Sequence, residues 1–112
     1  MTPQEVEAWC RSLPGTTANI AWEVDLLFKV GGKMFAVLGP SGTLSFKAND
    51  VAFEMLCETG AARPAPYMAR AKWVFLDEVG GMPGEDLKAY LAEAHRLIAA
   101  KLPRKLKAEL GL

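Results

Sequence analysis

The stretch Leu26-Leu27-Phe28-Lys29-Val30-Gly31-Gly32-Lys33-Met34-Phe35-Ala36-Val37-Leu38 decides the fold. Two apolar runs, rich in residues that suit a pleated surface, flank two glycines. Adjacent glycines reach the positive φ angles of a two-residue hairpin turn without steric cost. The spacing therefore predicts antiparallel strands at 26–30 and 33–38. A two-residue turn sets the register at Val30 opposite Lys33, Phe28 opposite Phe35 and Leu26 opposite Val37. Those pairs share one face. Leu27, Lys29, Met34, Ala36 and Leu38 then occupy the other.

The pattern extends in both directions. Downstream, Gly39-Pro40-Ser41-Gly42 turns the chain into a further strand at Thr43–Lys47, with Leu44 and Phe46 on one face. Upstream, residues 19–24 read as a strand anchored by Trp22. Before it, Thr2-Pro3-Gln4-Glu5 has the form of a capping box with proline at the first helical position. Val6, Trp9, Cys10 and Leu13 follow as one helical stripe, ended by Leu13-Pro14-Gly15. Asn49 or Asp50 caps a second helix running to about Thr59, with Gly60 as its terminator. Ala52, Met55 and Leu56 are expected inside, Glu54 and Glu58 outside. Residues 61–71, with Pro64 and Pro66, read as an irregular loop. Lys72–Leu76 returns as a strand, with Trp73 and Phe75 on one face. A long amphipathic helix follows Pro83, through Leu87, Tyr90, Leu91, Ala94, Leu97 and Ile98. Pro103 interrupts it, and a short helix carrying Leu106 and Leu110 ends the chain. Helix, antiparallel strands, helix, strand, helix is the order of an α+β domain, one sheet with helices on one face.

The chain has 112 residues, of which 51% are hydrophobic and 23% charged, so one core is expected over residues 1–112. No apolar run is long enough to cross a bilayer, and the N-terminus lacks the basic and apolar regions of a secretory leader. Cys10 and Cys57 lie too far apart for a zinc or redox motif and read as reduced packing residues. A cytoplasmic location is the expectation.

Taken together, several segments resemble the MmcQ/YjbR family of small bacterial proteins. They are Leu13-Pro14-Gly15, Phe28–Ala36, Leu44-Ser45-Phe46-Lys47, Pro64-Ala65-Pro66-Tyr67, Lys72-Trp73-Val74 and Lys101-Leu102-Pro103-Arg104-Lys105. The resemblance implies a frataxin/CyaY-like arrangement and a DNA-binding role, and it brings no catalytic residues.

Thirteen basic and thirteen acidic residues cancel, which disfavours a chain that coats nucleic acid by net charge alone. The charges are segregated along the sequence, however. Lys29, Lys33, Lys47, Arg70 and Lys72 fall on or beside the strands in stretches free of acids, and they are the candidate phosphate contacts. The plainer alternative is that they block edge-to-edge aggregation. Arg104, Lys105 and Lys107 read as a solvated helix face. A second reading is a small-molecule or protein-interaction module with a pocket among Trp22, Lys47, Tyr67 and Trp73.

Nothing points to an enzyme, a metal or a cofactor. The single histidine, His95, falls at the rim of the long helix's apolar stripe. Ser41 and Ser45 lack a nucleophile-elbow setting, and Gly39-Pro40-Ser41-Gly42 lacks the lysine and length of a phosphate loop. Iron, raised by the fold analogy, would have only Glu5, Glu7, Glu23 and Asp25 to bind it.

Overall fold

The Gly31-Gly32 turn forms as its sequence requires, with φ of 59° and 80°. It joins β2 (Asp25–Val30) to β3 (Lys33–Leu38) in a computed structural model that describes residues 1–22 and 24–112. The remaining strands are β1 (Thr16–Ala21), β4 (Leu44–Lys47), β5 (Arg63–Pro64) and β6 (Trp73–Leu76). They make one antiparallel sheet in the order β1-β2-β3-β4-β6-β5. The helices are α1 (Pro3–Ser12), α2 (Asp50–Thr59), α3 (Gly84–Ala99) and α4 (Arg104–Glu109).

The hairpin register departs from the expected one. Val30 faces Lys33 and Lys29 faces Met34, but a bulge then shifts Phe28 to Ala36, Leu27 to Val37 and Leu26 to Leu38. The bulge adds one residue to β3, so Phe35 and Ala36 are both fully buried. Ala36 and Leu38 consequently join Phe28 on the helix-covered face. The rings of Phe28 and Phe35 still meet, with centroids 6.4 Å apart. The physical reason lies outside the hairpin: Phe35 is drawn toward α3, where the His95 ring stands nearly perpendicular to its own with centroids 5.3 Å apart.

Two cross-strand rows line the covered face. One runs Ala18, Phe28, Ala36, Phe46, Val74; the other runs Ile20, Leu26, Leu38, Leu44, Leu76. Onto them α3 lays Leu87, Leu91 and Ala94, and α1 lays Val6 and Cys10, all fully buried. The capping box at Thr2 and Glu5 forms reciprocally. Asn49 caps α2 through Ala52 N–H, and Gly60 ends it in the left-handed region. Ala52 and Leu56 enter the core, whereas Met55 points out.

Three other expectations are corrected. The first strand starts at Thr16, and Trp22 lies in the turn beyond it with its side chain exposed. Residues 61–71 are not all loop, since Arg63 and Pro64 pair with Phe75 and Val74. His95 is not at the rim but buried, its Nε2 2.7 Å from the Pro14 carbonyl oxygen. Among the described residues no helix is long and apolar enough to cross a membrane.

Candidate nucleic-acid interface

The antiparallel order brings the hairpin tip, the end of β4 and the start of β6 to one end of the sheet. Lys33 stands exposed at the tip, beside the Gly31-Gly32 turn. Lys29 lies on the uncovered face of β2, between Thr17 and Met34. Lys47 lies on the face of β4 turned away from α3, opposite the buried Trp73, and its ammonium donates to the Ala71 carbonyl. Arg70 is exposed in a single helical turn at Ala69–Ala71. Lys72 ends that turn in the left-handed region, φ 63°, with its ammonium 5.0 Å above the Phe53 ring. All five candidate cations therefore share one end of the molecule.

Residues from the C-terminus join them there. A Cβ on Gly31 would fall 2.6 Å from Leu102 Cδ1, so the α3–α4 junction packs directly against the hairpin turn. At the other end of α4, Leu110 lies against Gly15. Arg104, Lys105 and Lys107 are thus carried across the same end of the sheet, and Lys101 comes close to Lys47. Burial lowers the Lys47 pKa, and the nearby ammonium groups of Lys101 and Lys72 lower it further, against the opposing pull of Asp50. Lys101 is the contributor that the sequence reading missed. The sequence from Arg96 to Lys107 contains no acid, but only the fold sets its position relative to the hairpin.

The ion pairs sharpen this polarity. Four of the thirteen cations have acidic partners among the described residues. Arg11 meets Glu7 at 2.8 Å, Arg63 meets Asp77 at 2.8 Å and Lys88 meets Glu85 at 3.7 Å; Arg96 meets Glu93. The other nine are the cations just placed at the hairpin end. Acids occur at this end too: Asp50 acts on Lys47, Glu109 ends α4, and Glu93 pairs with Arg96 beside Lys107. Asp25, Asp77, Glu78, Glu85 and Asp86 sit where the strands reach the opposite end, as the sheet register and the start of α3 require. A net charge of zero therefore conceals a basic pole and an acidic pole.

The pocket expected among Trp22, Lys47, Tyr67 and Trp73 does not assemble. Lys47 and Trp73 are cross-strand partners, but Trp73 is buried. Trp22 lies in the β1–β2 turn, at the opposite edge and opposite end of the sheet, and Tyr67 is fully exposed in a loop. A groove of about 520 Å³ lies elsewhere, between α1 and the first turn of α3, lined by Met1, Glu5, Trp9, Gly84 and Lys88. Among the described residues no cluster of His, Cys, Asp or Glu is arranged to hold a metal ion. Of the acids weighed for iron, Glu23 lies outside the described residues.

The cysteines differ in burial. Cys10 is buried between α1 and the sheet, and desolvation pushes its thiol up to about 12. Cys57 is only half-buried. A thiolate-selective reagent near pH 8 should therefore modify one thiol per native chain, at Cys57, and a second only after unfolding. Mass spectrometry of the labelled chain checks this, and rapid native labelling of Cys10 would contradict the burial argument.

A family model described as YjbR matches residues 11–97. Among solved structures, the Deinococcus radiodurans protein DR2400, whose domain is described as DUF419, superposes with a TM-score of 0.87. Its sequence identity is 24%, over 99% of this chain and 88% of that one. The likeness is one of fold. Among curated proteins none matches.

Proposed function

The chain belongs to the YjbR family, and from its divided charge we propose that it binds DNA by holding backbone phosphates at the basic pole. The role is binding rather than catalysis, in the cytoplasm, without a metal or cofactor. One observation carries this reading: among the described residues, the cations without acidic partners collect at one end of the sheet. Clustering like charges raises the free energy of the unbound protein; the Lys47 pKa is lowered first by burial, and the ammonium groups of Lys101 and Lys72 add to that lowering. A polyanion relieves that cost and releases its own condensed counterions.

Lys33 supplies reach at the hairpin tip, while Lys29 and Lys47 stand on one face of the sheet. The 69–72 turn adds Arg70 and Lys72. Phosphate contacts of this kind orient the protein on a backbone without reading bases.

Binding of a DNA duplex, followed by fluorescence anisotropy at several salt concentrations, tests the proposal. For three to five phosphate contacts, log affinity should fall against log salt with a slope of roughly −2.5 to −4.5. Lys33→Ala and Lys47→Ala should each flatten the slope by about one unit and weaken all sequences alike. No binding at a salt concentration of roughly 50 mM, where phosphate contacts act strongly, would reject it.

A further inference from the structure

The two edges of the sheet are built differently. The β5 edge is two residues long, contains Pro64 and has α2 beside it, which are ordinary defences against strand addition. The β1 edge has none of these. Thr16-Thr17-Ala18-Asn19-Ile20-Ala21 carries no charge and no proline, and among the described residues it has no bulge and pairs only with β2. Its outer row of N–H and C=O groups is left for another strand. Ile20 belongs to the helix-covered face yet is 64% exposed, because α1 does not extend over it. Trp22 and Val24, just beyond the strand, are exposed as well.

We propose that β1 is a homodimer edge, pairing antiparallel with β1 of a second copy about a two-fold axis at Asn19. The occupant follows from charge. A continuous sheet with helices on one side requires paired residues of matching face, which a centre at Asn19 satisfies. Thr17 then faces Ala21 of the second copy, and Ala18 faces Ile20. On the uncovered face Thr17 pairs with Lys29 and Ala21 with Asp25 within each chain. The joined row therefore reads Lys29, Thr17, then Ala21 and Asp25 of the second copy, with opposite charges at its ends. Antiparallel pairing also sets each basic pole beside the other copy's acidic pole.

The helices above the edge agree. Trp9 ties one side of α1 to α3, its indole N–H donating to the Lys88 carbonyl at 3.0 Å. Helical spacing turns Glu7 and Arg11 to the opposite side, above β1. Within one chain they form an exposed ion pair. In the dimer the two α1 helices run antiparallel, which brings Glu7 of each toward Arg11 of the other. Strand pairing supplies the backbone bonds, and the two Ile20 side chains gain apolar cover against Ala18 across the seam.

Sedimentation velocity across a wide concentration range tests this directly. The wild-type chain should sediment at twice the chain mass, and Ile20→Lys, whose side chain is already in solvent, should be a folded monomer by circular dichroism. Glu7→Arg and Arg11→Glu should each weaken the dimer, and the double exchange should restore it. At the two-fold axis the two Asn19 Cα atoms stand about 4.5–5.5 Å apart, within the roughly 4.4–6.8 Å that a disulfide spans. Asn19→Cys should therefore cross-link under mild oxidation, while Thr17→Cys, carrying the same native thiols, should not. A wild-type chain that stays monomeric throughout overturns the proposal. So does a dimer indifferent to Ile20→Lys and without the Asn19→Cys cross-link.

Discussion

Replacing Lys47, Lys72 and Lys101 together with glutamate should abolish most of the affinity for DNA, by at least about 100-fold. Each lost charge-assisted contact is worth at least about 1 kcal/mol, and roughly 3 kcal/mol over three contacts is a factor near 100. Reversal adds repulsion, so this is a lower bound. The salt slope should flatten by about three units, one for each phosphate no longer neutralised. Arg63→Ala is the matched control. Its guanidinium is exposed, pairs with Asp77 and lies away from the pole, so its removal should leave affinity unchanged. A thermal melt guards against misreading, since Lys47 holds the Ala71 carbonyl and Lys72 covers Phe53.

A pH dependence accompanies this result. The Lys47 pKa is lowered in the free protein, first by burial and then by its cationic neighbours. A phosphate favours the charged form and must raise that pKa, so binding takes up protons. Affinity is then full below the free-state pKa and falls as pH rises through it. In the triple variant this dependence should vanish. Isothermal titration in two buffers of different ionisation enthalpy measures the proton uptake, and equal uptake by both proteins would remove Lys47 from the interface.

The second large effect is on stability. Phe46→Ala should destabilise the fold by about 3–5 kcal/mol, the range for an aromatic removed from a packed interior. Phe46 is fully buried, sits between Ala36 and Val74 in a cross-strand row, and stacks on Tyr90 with centroids 6.1 Å apart. Its neighbours lie on β3, β6 and α3, three elements that cannot close together around the void. Against a total of about 5–15 kcal/mol for a domain, the melting temperature should fall by roughly 10–25 °C. Phe75→Ala offers the contrast. Phe75 is half-buried on the uncovered face, under the Arg63 guanidinium at 4.8 Å, and its loss should be distinctly smaller. Equal losses at the two positions would mean that the outer face is covered in solution.

What the sequence determined by itself was everything whose cause lies within a few residues. The Thr2–Glu5 capping box, the Gly31-Gly32 turn, a cap at Asn49 or Asp50 and the Gly60 terminator each need only their own segment of chain. The alternation of Leu44 and Phe46 likewise tells which side of β4 is buried, whatever covers it. The bulge at Phe35 was not legible, because it depends on α3, which lies about sixty residues further along and draws both Phe35 and Ala36 to one side. The β5 pairing escaped notice for a related reason: two residues beside a proline carry no periodicity, and only β6 makes them a strand. The candidate site divides in the same way. Lys29, Lys33, Lys47, Arg70 and Lys72 could be picked out as cations in acid-free stretches. That Lys101 and the α4 cations share their end of the sheet follows from Leu102 packing on Gly31 and Leu110 on Gly15. Charge interactions depend on distance through space, and only the closed sheet and the returning C-terminal helix set those distances.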